Sequence, residues 1–246
     1  MIIDMHTHDF GGEVDALSAS AKRNQVDSIV LLCDVFRFGY AQNPEEIRQI
    51  NDGVADAARR CTVPASAFCY LNPGNSAEAN RSEIERCFAN PLFKGVKLEI
   101  SCNCRSPKMD PIMQELQARD LPLVQHCWYK SEGLRPGESS PADVAYLARR
   151  YPKVKIIMAH IAGCGYRGIE EIAGCPNVWV DTSGGQPEYG FVEYAVKRIG
   201  AERILYGSDA PGRDICCQLT KVFEADITDS QKEMILWRNT KELLQL

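Results

Sequence analysis

The chain has only four histidines, and two of them sit one residue apart in the opening stretch MIIDMHTH, as His6 and His8. On a β-strand, residues i and i+2 point to the same face, so both imidazoles would aim the same way. The other two, His126 and His160, close the apolar runs LPLVQHC and KIIMAHIAG, and Asp209 closes RILYGSDAP. Imidazole nitrogens with a carboxylate form a borderline donor set, suited to zinc, manganese or iron rather than calcium or magnesium. A single histidine ending a strand is most often a hydrogen-bonded structural residue. Four of four in the same position, with an aspartate, predict a divalent metal held by His6, His8, His126, His160 and Asp209.

Such a cage needs elements that bring five distant residues to one place. Short apolar, β-branched-rich runs recur at about 1–5, 27–33, 63–70, 93–100, 121–127, 154–161, 177–182 and 203–208. They are continuously apolar rather than alternating, as expected for parallel strands covered on both faces. Helix-entry signals lie between them: Asn43-Pro44-Glu45-Glu46, Ser76 before Glu78, Ser140-Pro141-Ala142-Asp143 and Pro187-Glu188. Eight units in 246 residues give about 31 residues per strand–helix repeat, the size found in a closed (β/α)8 barrel. The sequence therefore predicts the α/β class: one (β/α)8 TIM-barrel domain over 1–246 with parallel strands, and SQKEMILWRNTKELLQL as terminal helices closing it. An open doubly wound sheet would carry a Gly-rich first turn where this chain has His6 and His8. In a TIM barrel the C-terminal ends of the strands meet at one mouth, where active sites lie, and every histidine falls there.

The fourth strand, FKGVKLEIS, adds Lys97 and Glu99, again i and i+2. Facing the mouth they are candidate substrate-binding groups; a charge turned into a barrel must otherwise be paired. The alternation also permits the inverse, with both outward beneath a helix. Composition narrows the partners. Net charge is −5 and no stretch concentrates Lys and Arg, so no nucleic-acid footprint is visible. The longest apolar runs are too short to span a bilayer, and no charged, then apolar, leader precedes Asp4. Eleven cysteines, an odd count without zinc-finger spacing, fit reduced thiols. The expected setting is cytoplasmic, with a small-molecule substrate and homo-oligomer formation left open.

His6-Thr7-His8, KGVKL around Lys97, QHC around His126, AHIAG around His160, VDTSG at 180–184 and YGSDAP around Asp209 together resemble the amidohydrolase superfamily. The nearest branch is the amidohydrolase-related group that includes aminocarboxymuconate semialdehyde decarboxylase-like enzymes. The similarity runs from residue 2 to about 245 and keeps the order of motifs. It implies that His6, His8, His126 and Asp209 bind zinc or a similar ion, manganese or iron being the alternatives. His160 would stand beside it as acid/base or as a further ligand. One ion is expected, or two if Lys97 is carboxylated or Glu99 bridges. Relatives often carry His or Asn where this chain has Glu99.

A metal-bound water would have its pKa lowered to about 7, with Asp209 as the proton acceptor and His160 polarising the bond attacked. The chain is short for the decarboxylases, so the sequence favours hydrolysis of an amide, lactone or ester. Non-oxidative decarboxylation is the alternative, and a TatD-type phosphoesterase, open because of Glu99, is third. Arg37, Arg105, Arg167 and Arg213 follow strands two, four, six and eight, and a carboxylate-bearing substrate would use one or two of them, Arg167 first. Trp128, Tyr129 and Tyr166 could form an apolar wall, and Asp4 an orienting group deeper in the barrel.

Overall fold

The computed structural model describes residues 1–185 and 187–246. Eight strands alternate with helices: β1 (Ile3–Thr7), β2 (Ser28–Leu31), β3 (Ala65–Tyr70), β4 (Phe93–Leu98), β5 (Leu123–Gln125), β6 (Ile156–Met158), β7 (Val178–Asp181) and β8 (Ile204–Leu205). All neighbours pair in parallel and in sequence order. The seam between β8 and β1 is sealed by a Thr7–Ala210 bridge and by Met5 N–H donating to the Tyr206 carbonyl at 2.9 Å. The TIM barrel expected from the sequence is thus the observed architecture; β2 to β8 lie inside their apolar runs, and β1 continues two residues past its run to Thr7.

The helices are α1 (Val14–Arg23), α2 (Pro44–Arg60), α3 (Ala77–Phe88), α4 (Asp110–Arg119), α5 (Pro141–Arg150), α6 (Ile161–Ile172), α7 (Phe191–Ile199), α8 (Ile215–Phe223), α9 (Asp229–Glu233) and α10 (Asn239–Leu244). Their starts follow the local chemistry. Asn43 and Ser140 form capping boxes with Glu46 and Asp143, and Ser76 caps α3 through the Ala79 N–H. Pro187-Glu188 does not start a helix; α7 begins after Gly190. Between α9 and α10 the chain widens into a π turn, Met234–Arg238.

Two apolar layers hold the barrel. The larger packs strands against helices and includes Ile29, Leu31, Cys69, Val96, Leu98, Ile156, Val180 and Tyr206. The smaller fills the interior with Met5, Val30, Leu32, Phe68, Val124, Ile157, Ala159 and Leu205, joined by Leu243 and Leu244 of α10. The terminal helices therefore close the barrel, as the sequence predicts. Interior parity carries Gly95, Lys97 and Glu99 inward: a Cβ at Gly95 would lie 2.4 Å from the Phe68 ring. All eleven cysteines are free. No helix among the described residues is long and apolar enough to cross a membrane.

Candidate metal centre and active site

The strand ends set His6, His8 and Asp209 face to face. His6 Nε2 lies 3.1 Å from His8 Nε2 and 3.7 Å from Asp209 Oδ1, and His8 Nε2 lies 3.4 Å from the same oxygen. The far side of each ring is already engaged. His6 Nδ1 is 2.8 Å from Asp181 Oδ2, and His8 Nδ1 is 2.8 Å from the Cys33 carbonyl oxygen. Both partners only accept, so each Nδ1 carries the proton and each Nε2 presents a lone pair. Two lone pairs facing at 3.1 Å with a carboxylate beside them repel unless a cation sits between them. Ligands 2.0–2.1 Å from one ion are about 3.3–3.4 Å apart in a tetrahedron and about 3 Å apart at right angles. The separations of 3.1 and 3.4 Å fall in that range and the third, 3.7 Å, is a little longer, so these residues fit a divalent metal with a small shift of the Asp209 carboxylate.

His160 stands next to this set, its ring centroid 4.9 Å from that of His6. Its backbone is left-handed (φ 69°), as is that of Asp209 (φ 65°), a region a non-glycine residue enters at a cost. His160 Nδ1 is 2.9 Å from Ser183 Oγ, and Nε2 has no hydrogen-bond partner among the described residues. Burial drives the His160 pKa well below 6.5, with the charges of His6 and His126 acting the same way. Burial also lowers His6, against the pull of Asp181. For Asp209 burial pushes upward, but the hydrogen bond and charge of His8 and the charge of His6 hold the carboxyl below its usual value. At neutral pH the His6 and His160 rings are thus neutral and the Asp209 carboxyl ionised.

His126 stands apart from the donor triad. Its ring lines the mouth 5.1 Å from that of His160, but Nε2 lies 3.0 Å from Glu138 Oε1 and Nδ1 3.3 Å from Glu99 Oε2. Both nitrogens face carboxylates rather than the lone pairs of His6 and His8. Lys97 and Glu99 do turn inward. Lys97 is completely buried with Nζ 2.9 Å from Glu99 Oε1, an ion pair bent away from good hydrogen-bond geometry. Burial alone would raise the Glu99 carboxyl, yet Lys97 and His126 together hold it below its usual value. Glu99 reaches the cavity wall; Lys97 lies beneath it.

Arg167 is not brought to the site. The chain enters α6 directly after His160, which puts Arg167 two turns along, 74 % exposed, paired with Glu171 at 3.0 Å and stacked over Tyr129. Arg105 pairs with Asp143 and Arg37 borders another cleft; of the four arginines only Arg213 lines the mouth. Tyr166 packs outside on Phe191 and Tyr194, leaving Trp128 as the expected aromatic that reaches the wall. Asp4 acts on backbone rather than on the His6 ring: Oδ1 accepts from Ser208 N–H at 2.9 Å and His6 N–H at 3.2 Å, and burial raises its pKa to about 7.

Asp181, Glu138 and Arg135 are among the site residues that escaped the sequence reading. Asp181 ends β7 on the same rim, a position that could have been spotted. Glu138 is buried and accepts from Lys130 Nζ at 2.8 and 2.9 Å and from Arg135 N–H at 2.9 Å. Burial opposes its ionisation, but the His126 and Lys130 hydrogen bonds prevail and lower it to about 2. Arg135 crosses the mouth to Tyr40, Nη1 to Oη 3.3 Å.

The mouth is a cavity of about 310 Å³, walled by Phe10, Phe36, Tyr40 and Trp128 and floored by His8, His160 and Asp209. Clefts of about 800 Å³ beside Asp9 and Arg60 and about 750 Å³ beside Trp179 and Arg203 contain none of the histidines, so the chemistry belongs to the smaller one. Comparisons agree with this barrel. The sequence profile of a family described as amidohydrolase matches residues 3–246. No curated protein matches the chain. Among solved structures, 5-carboxyvanillate decarboxylase from Sphingomonas paucimobilis aligns with a TM-score of 0.79 at 16% identity, covering 100% of this chain and 99% of that one. The 2,6-dihydroxybenzoate decarboxylase from Rhizobium gives 0.80 at 16%, covering 99% and 98%. A dihydroxybenzoic acid decarboxylase from Polaromonas sp. JS666 with bound manganese gives 0.72 at 19%, covering 100% and 97%.

Proposed function

Because the chain belongs to the amidohydrolase family, we propose that it is a metal-dependent non-oxidative decarboxylase of a small, ring-sized carboxylic acid. The preference for hydrolysis drawn from the sequence yields to this reading, since the similar structures named above are described as decarboxylases. The observation that carries it is the cavity itself, about 310 Å³ of aromatic-walled space whose floor carries His8 and Asp209 of the donor set, with His6 buried against them. A cavity of about 150 Å³ holds a benzene ring, so this one, at about 310 Å³, suits a substituted ring.

His6, His8 and Asp209 would hold the ion, manganese or zinc by their donor chemistry. Bound there, the ion would supply a positive charge that orients the substrate and draws electron density from its oxygens. Of the cations at the wall, Lys130 is neutralised by Glu138, whereas Arg135 and Arg213 have no carboxylate partner among the described residues. They are the groups to take the substrate's acid or a second anionic substituent. Phe10 and Trp128 would clamp the ring and exclude water. When the C–C bond breaks, its electron pair stays on the substrate carbon, which must gain a proton as carbon dioxide leaves. His160 is neutral and Asp209 ionised, so that proton would enter from solvent water, relayed by His160 Nε2 or by the Asp209 oxygen not given to the ion; Glu99 and Glu138 are tied up in ion pairs.

Hydrolysis is the second reading, because the same donors and Asp209 would also serve an attacking water. The test incubates Mn(II)-loaded protein with a panel of monocyclic carboxylic acids in ¹⁸O-labelled water. Release of carbon dioxide without ¹⁸O in the organic product, abolished in Asp209→Asn, is expected. Label in the product without carbon dioxide would overturn the proposal in favour of hydrolysis.

A further inference from the structure

Asp181 lies outside the donor triad, yet it touches both histidines that matter most. It is completely buried at the end of β7. Its two oxygens divide the work. Oδ2 takes the proton of His6 Nδ1 at 2.8 Å. Oδ1 accepts from the backbone N–H of His160 at 3.1 Å, from the Ser183 N–H at 3.0 Å and from the Ser183 hydroxyl. Ser183 Oγ in turn stands 2.9 Å from His160 Nδ1 and 3.3 Å from His6 Nδ1. The turn that carries Ser183 is fastened from behind by Lys221 of α8, whose Nζ donates to the Thr182 carbonyl at 3.0 Å and the Gly184 carbonyl at 2.8 Å. Gly184 packs so closely on His160 that a Cβ there would lie 2.7 Å from the His160 Cβ.

From this geometry we infer that Asp181 is the positioning residue of the site, acting on the metal through His6 and on His160 through its main chain. A neutral imidazole has one proton to place. An acceptor-only carboxylate at Nδ1 fixes it there and leaves the Nε2 lone pair for the ion; partners of this kind typically change metal affinity 10- to 100-fold. The same carboxylate secures the N–H of His160 in its left-handed conformation (φ 69°), so one side chain sets the spacing between the ion and the group proposed to move the proton. This rests on the His6–His8–Asp209 metal reading and is independent of whether the reaction is decarboxylation or hydrolysis.

Asp181→Asn tests it without changing size. The amide can turn its NH₂ towards His6, which moves the ring proton to Nε2 and removes the lone pair from the ion. Mn(II) and Zn(II) affinities of wild type, Asp181→Asn and Ser183→Ala are measured by competition with a chelating dye, alongside the melting temperature of each protein freed of metal. Asp181→Asn is expected to bind both ions about 10- to 100-fold more weakly, with a metal-free melting temperature within a few degrees of wild type. Ser183→Ala, which keeps the His6–Asp181 contact, is expected to stay within about threefold of wild type. Equal affinity in Asp181→Asn and wild type overturns the positioning role while leaving the metal reading intact. A wild type that binds neither ion overturns both. An equal loss in Asp181→Asn and Ser183→Ala, accompanied by a large fall in metal-free melting temperature, assigns the pair a purely structural part and also overturns the proposal.

Discussion

Replacing Lys97 by Met keeps the apolar stem in place and removes only the ammonium group that faces Glu99 at 2.9 Å. Glu99 is buried, and among the described residues its second oxygen is paired with His126 alone, at 3.3 Å. Taking away one partner of a buried ion pair typically costs about 3–5 kcal/mol, because the other charge stays desolvated. For a 246-residue chain each kcal/mol lowers the melting temperature by about 2–4 °C, so a fall of about 6–20 °C is expected. The sign with pH follows from the Glu99 carboxyl. In wild type it titrates below its usual value, so its contribution is present above the unfolded pKa of about 4.3 and is lost as pH falls through the lower folded value. Without Lys97, burial dominates and raises the folded pKa, so the variant loses stability as pH rises above about 4.3. The gap between the two proteins should therefore widen between about pH 5 and about pH 8. Urea unfolding of wild type, Lys97→Met and Lys97→Met/Glu99→Gln across that window measures it, and the double variant should regain at least half of the loss. A Lys97→Met protein within about 1 kcal/mol of wild type at the alkaline end would mean that Glu99 is adequately solvated, and the pairing argument would fail.

Gly207 lies where an added Cβ would be 2.8 Å from the His6 Cβ and 3.3 Å from the Asp181 Cβ. Gly207→Ala should cost about 1–3 kcal/mol through overpacking and weaken Mn(II) binding; unchanged affinity by dye competition would show that the neighbours give way freely. Asn43→Ala breaks the capping box of α2, with an expected loss of about 1 kcal/mol. A calorimetric melt should drop by about 2–4 °C with metal affinity unaltered, since Asn43 touches none of the histidines; a changed affinity would refute that separation.

The barrel was legible because strands buried on both faces must be continuously apolar, and eight such runs at regular intervals leave few alternatives. Placing His6, His8, His160 and Asp209 on one rim needed only strand ends and parity. Ring direction was not legible. His126 ends β5 as expected, but Glu138, twelve residues further on in a loop, takes its Nε2, and no local pattern announces such a contact. Arg167 illustrates the opposite error: following a strand in sequence is not facing the mouth once the chain has turned into a helix. Asp181 was overlooked for want of a histidine beside it in VWVD, although it ends its strand as His6, His160 and Asp209 stand near the ends of theirs. The π turn at Met234–Arg238 has no signature in MILWR that an ordinary helix would lack.

The left-handed backbones of His160 and Asp209 also bear on attempts to toughen this protein against heat. Each costs the native state about 1–2 kcal/mol that glycine would not, so a search for tolerant variants would be drawn to those two positions first. The gain would come from dismantling the working parts. Any programme of hardening should instead spend its substitutions on the outer helices and leave the two contorted joints at the rim alone.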